Sequence, residues 1–153
     1  MARSTGQVAN DAWEALLVAH AALIRQFDRP GAWSQVSMRE YDVLYTLSKC
    51  DGPLRLSELN EHVLLSQPAL SRMVERLTGR GLLHREPDPS DRRSVLISLT
   101  EAGRATQRQA GLRHAREVAQ AVSTRLTPAE AEQLEALCTK LAARSDPPRT
   151  EHA

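Results

Sequence analysis

At 153 residues the chain has room for one domain with its own core, and its 41% apolar but only 3% aromatic content means that core must be built from Leu, Val and Ala, which suits helices more than sheets. A net charge of +1 by itself says almost nothing about nucleic acid, since basic groups can be local, and the distant pair Cys50 and Cys138, with no CxxC or Cys/His cluster, indicates neither a disulfide framework nor a zinc knuckle. No apolar run approaches the roughly 20 residues that span a bilayer, and the N-terminus lacks a signal-peptide core, so the expected location is the cytoplasm, with no metal, cofactor or membrane partner.

Residues 1–9 are small and polar and read as a flexible N-terminus. Asn10 or Asp11 is then placed to cap a long helix. Ala12, Leu16, Ala19, Leu23 and Phe27 recur at helical spacing, and Trp13, Leu17 and Ile24 widen the stripe until Pro30-Gly31 ends it. A stripe that broad suits packing against more than its own subunit. Ser37-Met38-Arg39-Glu40 is a capping box, and the helix it opens carries Tyr41, Val43, Leu44 and Leu47 as far as Asp51-Gly52-Pro53. Leu54-Arg55 reads as a very short strand.

Ser57 to Val63 forms the next helix, with Leu56, Leu59 and Val63 inward and Leu64-Leu65 in the turn that follows. The helix from about Ser66 to Arg80 has a clear apolar face, since Leu70, Met73, Val74 and Leu77 fall at i, i+3, i+4 and i+7. Pro68, Ser71, Arg72 and Glu75 point the other way, and Gly79 and Gly81 bracket its end. Leu82 to Arg85 reads as a strand, Glu86 to Arg93 as a turn-rich tip, and Val95 to Leu99 as the strand returning. Together they make a β-hairpin wing. Thr100 caps a long, weakly apolar helix to about Leu126, Thr127-Pro128-Ala129-Glu130 is a second capping box, and the last helix carries Leu134, Leu137, Cys138 and Leu141. The tail, residues 146–153, holds Pro147-Pro148 and reads as disordered.

Two helices followed by a hairpin point to nucleic acid. Between Arg72 and Arg93 the cations Arg72, Arg76, Arg80, Arg85, Arg92 and Arg93 meet only Glu75, Glu86, Asp88 and Asp91, so this segment is net basic within a nearly neutral chain. The polar face of the Ser66 helix is expected to enter the major groove of double-stranded DNA. Ser66, Gln67 and Ser71 can bond base edges there, Arg72 suits guanine or phosphate, and Pro68 can touch a thymine methyl. Arg76 is read as a phosphate contact or as the partner of Glu75 or Glu86. Arg55 and Ser57, where the first helix begins, are placed for backbone phosphate. The plainer alternatives are a solvated helix face, a charged hairpin tip, and an arginine content set by a GC-rich genome.

Leu56-Ser57-Glu58-Leu59, Leu65-Ser66-Gln67-Pro68-Ala69-Leu70-Ser71-Arg72, Gly81-Leu82-Leu83, Asp88-Pro89-Ser90-Asp91-Arg92-Arg93 and Leu99-Thr100-Glu101-Ala102-Gly103 together resemble the MarR family of bacterial winged-helix regulators, over Trp13 to Leu141. The resemblance implies a mainly α fold with a small β-hairpin wing. It implies a single winged helix-turn-helix domain over 10–145, made of dimerisation helices at 10–29 and 100–144 and a DNA-binding part at 37–99. In that pattern Asp91 braces the wing turn or an Arg, Arg93 enters the minor groove and Arg92 binds phosphate. Asn60 departs from it, standing where many members have Ala, and implies looser packing there. The resemblance further implies a homodimeric repressor on a pseudo-palindromic operator, released by a small aromatic or anionic effector in a cleft to which Trp13 and Tyr41 could belong. A dimeric protein-interaction module without DNA binding is the alternative, separable by salt dependence. No nucleophile–base pair or phosphate loop is present, so no enzyme is expected.

Overall fold

The computed structural model describes residues 3–143, which form six helices and a three-stranded antiparallel sheet. In chain order these are α1 (Thr5–Phe27), α2 (Met38–Ser48), β1 (Leu54–Arg55), α3 (Leu56–His62), α4 (Gln67–Gly79), β2 (Leu83–Asp88), β3 (Asp91–Leu99), α5 (Glu101–Ser123) and α6 (Pro128–Ala142). They divide into two compact units, one running to Glu117 and the other beginning at Val118. The tail at 146–153 lies outside the described residues.

The first unit holds the hydrophobic core. Val43 and Leu44 of α2, Leu59 of α3, Leu70 and Leu77 of α4, Leu83 of β2 and Ile97 of β3 are its most deeply buried members. The i, i+3, i+4, i+7 face of α4 is therefore the face that is buried, and its polar face is left outward. In such a core, built mainly of Leu and Val, burial stabilises each large apolar side chain by about 1.5–3 kcal/mol.

Local chemistry sets the ends of these elements. The α2 capping box is complete: Ser37 Oγ accepts the Glu40 N–H at 3.2 Å and the Glu40 carboxylate accepts the Ser37 N–H at 2.9 Å. The first helix starts earlier than the cap expected at Asn10 or Asp11, because Ser4 Oγ accepts the Gln7 N–H at 3.2 Å and Arg3 pairs with Asp11 at 2.9 Å. Much of the segment expected to be flexible is thus helix. Asn60 does not loosen the helix-turn-helix. Its Nδ2 donates to the Leu65 carbonyl at 2.9 Å and closes the turn between α3 and α4.

The sheet runs β1-β3-β2, with Leu54 opposite Ile97 and Leu83 opposite Leu99. Its strands reach further than the sequence reading has them, through Pro87 and Asp88 on one side and from Asp91 on the other. Pairing shifts register there: Pro87 faces Val95 but Asp88 faces Asp91, so Arg92, Arg93 and Ser94 bulge from β3 without partners on β2.

At the end of α4, Gly81 takes φ 72°, the Gly81 N–H reaches the Thr78 carbonyl and the Leu82 N–H reaches the Leu77 carbonyl, both at 2.9 Å. The Leu82 carbonyl then accepts the Thr100 N–H at 3.1 Å, and the Thr100 hydroxyl donates to the Gly81 carbonyl at 2.7 Å while accepting the Gly103 N–H at 2.9 Å. A Cβ on Gly103 would overlap the Leu82 carbonyl oxygen.

In the second unit Ala121 is buried, Arg125 Nη1 donates to the Ala121 carbonyl at 2.7 Å, and Thr127 and Glu130 complete the capping box of α6. No residue of α6 is buried, and its Leu134, Leu137 and Leu141 are exposed.

Two glycine substitutions separate backbone from packing effects. Gly81→Ala should cost about 1–2 kcal/mol through left-handed strain alone. Gly103→Ala should cost about 1–3 kcal/mol through overpacking against Leu82. Urea midpoints of the two variants check both, and a Gly103→Ala midpoint equal to wild type would remove the close approach.

Candidate DNA-binding surface

The start of α4, the start of α3 and the bulged strand β3 converge on one groove. Ser66 caps α4, its Oγ accepting the Ala69 N–H at 3.4 Å, and Pro68 occupies the first turn. Ser57, Gln67 and Ser71 line a concavity of about 200 Å³ together with Arg85, Arg93 and Ser94. Residues from three expected contact regions are thus brought together. Arg85 and Ser94 join them; the sequence reading counts Arg85 only within the basic segment and gives Ser94 no role. The antiparallel register that places Arg85 opposite Ile97 puts it beside the bulge, and alternation within β2 is the signal that could have found it.

The arginines fall into two groups. Arg72, Arg76, Arg85, Arg92 and Arg93 are exposed and make no side-chain hydrogen bond or ion pair among the described residues. Arg76 therefore pairs with neither Glu75 nor Glu86. Arg80 is turned away, donating to Glu40 Oε1 of α2 at 3.2 Å and to the Gln35 carbonyl in the loop before that helix.

Arg55 is also engaged. Its Nε donates to Asp88 Oδ2 at 2.7 Å and its Nη2 to Ser90 Oγ at 3.0 Å. Asp88 is 5% exposed, and its other oxygen accepts the Ser90 N–H at 2.8 Å and the Ser90 hydroxyl at 2.7 Å. The two Ser90 bonds, with Arg55 after them, hold the Asp88 carboxyl at about 2. Asp91 braces the turn rather than an Arg side chain: it accepts the Arg93 N–H at 3.0 Å and the Ser94 hydroxyl at 2.7 Å, and these bonds lower its pKa.

A second cavity, of about 120 Å³, lies between the α1–α2 loop and α5, lined by Trp33, Gln35, Ala110, Arg113, His114 and Glu117. Tyr41 is buried beside it, its ring 5.3 Å from that of Trp33 and 5.4 Å from that of His114. Burial raises the Tyr41 pKa, partly offset by a hydrogen bond with Gln107. Among the described residues, His114 Nδ1 is buried without a hydrogen-bond partner. Trp13 is not brought to this cluster; it stands 60% exposed on α1 and lines none of the cavities described. Trp33 lies there instead, and its place in a loop of no periodicity hides it from the sequence reading.

Residues 36–95 match the model of the MarR family. The multiple antibiotic resistance protein MarR of Salmonella typhimurium is 32% identical over 106 residues, which is 69% of this chain and 73% of that protein. Among solved structures, the MarR family regulator Sco3205 of Streptomyces coelicolor, in complex with DNA, superposes with a TM-score of 0.70 at 27% identity over 99% of this chain and 94% of that one. Bordetella bronchiseptica BpsR, whose DNA binding is regulated by 6-hydroxynicotinic acid, superposes with a TM-score of 0.68 at 27% identity, over 88% of this chain and 98% of its own.

The Asp88 carboxyl supplies a pH test. Its folded pKa is depressed, so its contribution to stability is present above pH 3.8 and is lost as the pH falls from there toward 2. Carbon-detected NMR titration should give a midpoint near 2, moving up toward 3.8 in Ser90→Ala. An ordinary midpoint in the wild-type protein would mean that this network does not exist in solution.

Proposed function

Since this chain belongs to the MarR family of transcriptional regulators, we propose that it is a homodimeric repressor that binds a pseudo-palindromic operator in cytoplasmic DNA and is released by a small aromatic acid. The observation that carries the DNA reading is the groove in which Ser57, Gln67, Ser71 and Arg93 meet, flanked by arginines without internal partners. Ser66, Gln67, Pro68, Ser71 and Arg72 present the outward start of α4 to major-groove edges. Arg93, raised on the bulge, reaches a narrow minor groove, and Arg72, Arg76 and Arg92 are free for phosphate or guanine. The DNA complex of Sco3205 supports this reading, as does the want of any internal partner for these guanidinium groups.

Dimerisation is supported by exposed apolar surface. Trp13, Leu17 and Val18 on α1 and Leu134, Leu137 and Leu141 on α6 stand in solvent. Side chains of this size gain about 1.5–3 kcal/mol each on burial, more in sum than an ordinary solvated surface leaves ungained. A second copy that covers them would set two winged regions at the half-site spacing of an operator, about one helical turn. The effector reading rests on the cavity at Trp33, Arg113 and His114, whose flat aromatic walls, cation and unpartnered ring nitrogen suit a planar aromatic carboxylate. The acid that regulates BpsR has that chemistry.

Selection of duplexes from a random pool should return a pseudo-palindrome. Arg93→Ala should then weaken binding by about ten- to a hundredfold. Unchanged affinity would remove the wing from the interface, and a flat salt dependence in the wild-type protein would favour the protein-interaction alternative. In a Trp13→Phe background, 6-hydroxynicotinate should quench Trp33 emission and weaken DNA binding, both effects being lost in Arg113→Ala. Quenching that survives Arg113→Ala would place the acid elsewhere.

A further inference from the structure

We propose that Arg55 is a positioning residue for the wing and not a ligand of DNA: by clamping Asp88 and Ser90 it fixes the stand of Arg93 relative to α4. The inference rests on the DNA-binding reading above and names a device within that site. Arg55 itself is held in two ways. Its backbone lies opposite Leu96 of β3, and its N–H donates to the Glu58 carboxylate at 2.7 Å, at the joint where β1 becomes α3. From that fixed point the guanidinium crosses to the far end of β2, donating to Asp88 at 2.7 Å and Ser90 at 3.0 Å.

Asp88 is the last residue of β2, and the register shift at Pro87/Asp88 is the foot of the bulge that lifts Arg92 and Arg93. The clamp therefore ties the helix-turn-helix to the wing at the place where strand pairing loses its regular grip. Asp88, which Arg55 holds, is also the only charged side chain buried among the described residues. Were Arg55 to swing out to a phosphate, it would leave a buried carboxylate without its cation close to a polyanion. Asp88 would keep its two Ser90 bonds but lose its only cationic partner, which weighs against an exchange of Asp88 for phosphate.

The two roles predict opposite signs for one substitution. If Arg55 gripped phosphate, Asp88→Asn would release it and remove a negative charge from the interface, and affinity for a duplex selected by the wild-type protein would rise. If Arg55 positions the wing, Asp88→Asn and Arg55→Met should each lower that affinity, by about tenfold, and the double variant should be no worse than either single one. In an Arg93→Ala background neither should cost anything further, because the clamp acts through Arg93. General loss of structure, or a direct contact, would instead add to the Arg93→Ala loss. Ser90→Ala, at an exposed position, provides a milder break of the same clamp should Asp88→Asn fail to fold, and should lower affinity by a few-fold with the same dependence on Arg93. Tighter binding by Asp88→Asn, or additivity with Arg93→Ala in either the Arg55→Met or the Ser90→Ala series, overturns the clamp. A wild-type protein that binds no duplex, or an Arg93→Ala variant that binds as well as wild type, overturns the underlying DNA reading instead.

Discussion

The carbonyl oxygen of Leu82 is the point on which the proposed reading surface depends. Gly81 turns the chain out of α4 through a left-handed backbone, and Leu82 follows with its N–H on the last turn of that helix. Its carbonyl meets Thr100 at the far end of the hairpin, and the first turn of α5 comes so close that only a glycine fits at position 103. Four elements are fixed by one residue: the end of α4, the start of β2, the end of β3 and the start of α5. A hydrogen bond of this kind contributes only about 1 kcal/mol net. Its importance is geometric, since an unpaired carbonyl buried under a helix would cost more than the bond returns.

Electrostatics then sort the surface. A chain of net charge +1 offers no bulk attraction to DNA, and the sorting of individual arginines matters more. Arg80 is neutralised by Glu40, Arg29 by Glu117 and Arg55 by Asp88, each tying two elements of the first unit together. Among the described residues, Arg72, Arg76, Arg85, Arg92 and Arg93 of α4, β2 and the bulge have no internal side-chain partner, and Arg25, Arg39, Arg104 and Arg116 share that condition elsewhere on α1, α2 and α5. Structural arginines and the arginines proposed to face DNA thus differ in environment and not in type.

That distinction explains what the sequence could and could not reveal. The buried face of α4, both capping boxes, the glycine stop and the hairpin follow from spacings of a few residues, and all were legible. The sequence reading places Arg55 for phosphate and shows no internal partner for it, because Asp88 lies 33 positions away and pairing at that range follows only once β1 and β2 flank β3 in one sheet. Asn60 looked like a defect because its acceptor is a backbone carbonyl, which no sequence displays. The wing strands were cut short because Pro and Asp discourage strand. Here Pro87 sits on β2, at one edge of the sheet, and Asp88 is held by Arg55 and Ser90. Trp13 drew the aromatic role through its helical register, whereas Trp33 holds its place by donating Nε1–H to the Phe27 carbonyl at 2.9 Å, a contact made by a loop.

The same junction offers a physical route between the proposed effector cavity and the proposed reading surface. The cavity is walled by α5 at Ala110, Arg113 and His114, and Gly111 of that helix packs so tightly on Tyr41 that an added Cβ would stand 3.1 Å from its hydroxyl oxygen. An occupant pressing on Trp33 and His114 would act on α5 and α2 together. A helix moves largely as a rigid rod over such distances, so displacement at Ala110 is felt at Gly103, and Gly103 cannot move inward without striking Leu82. Leu82 in turn carries the end of α4 and the root of the wing. Coupling needs two arrangements that the ligand distinguishes, and the energy required is small: a shift of 1–3 kcal/mol, about the free energy of one or two hydrogen bonds, changes affinity by about 5- to 150-fold. A close-packed glycine contact suits that task, because overlap energy rises steeply with distance and so transmits a displacement that a softer, methionine-filled interface would absorb.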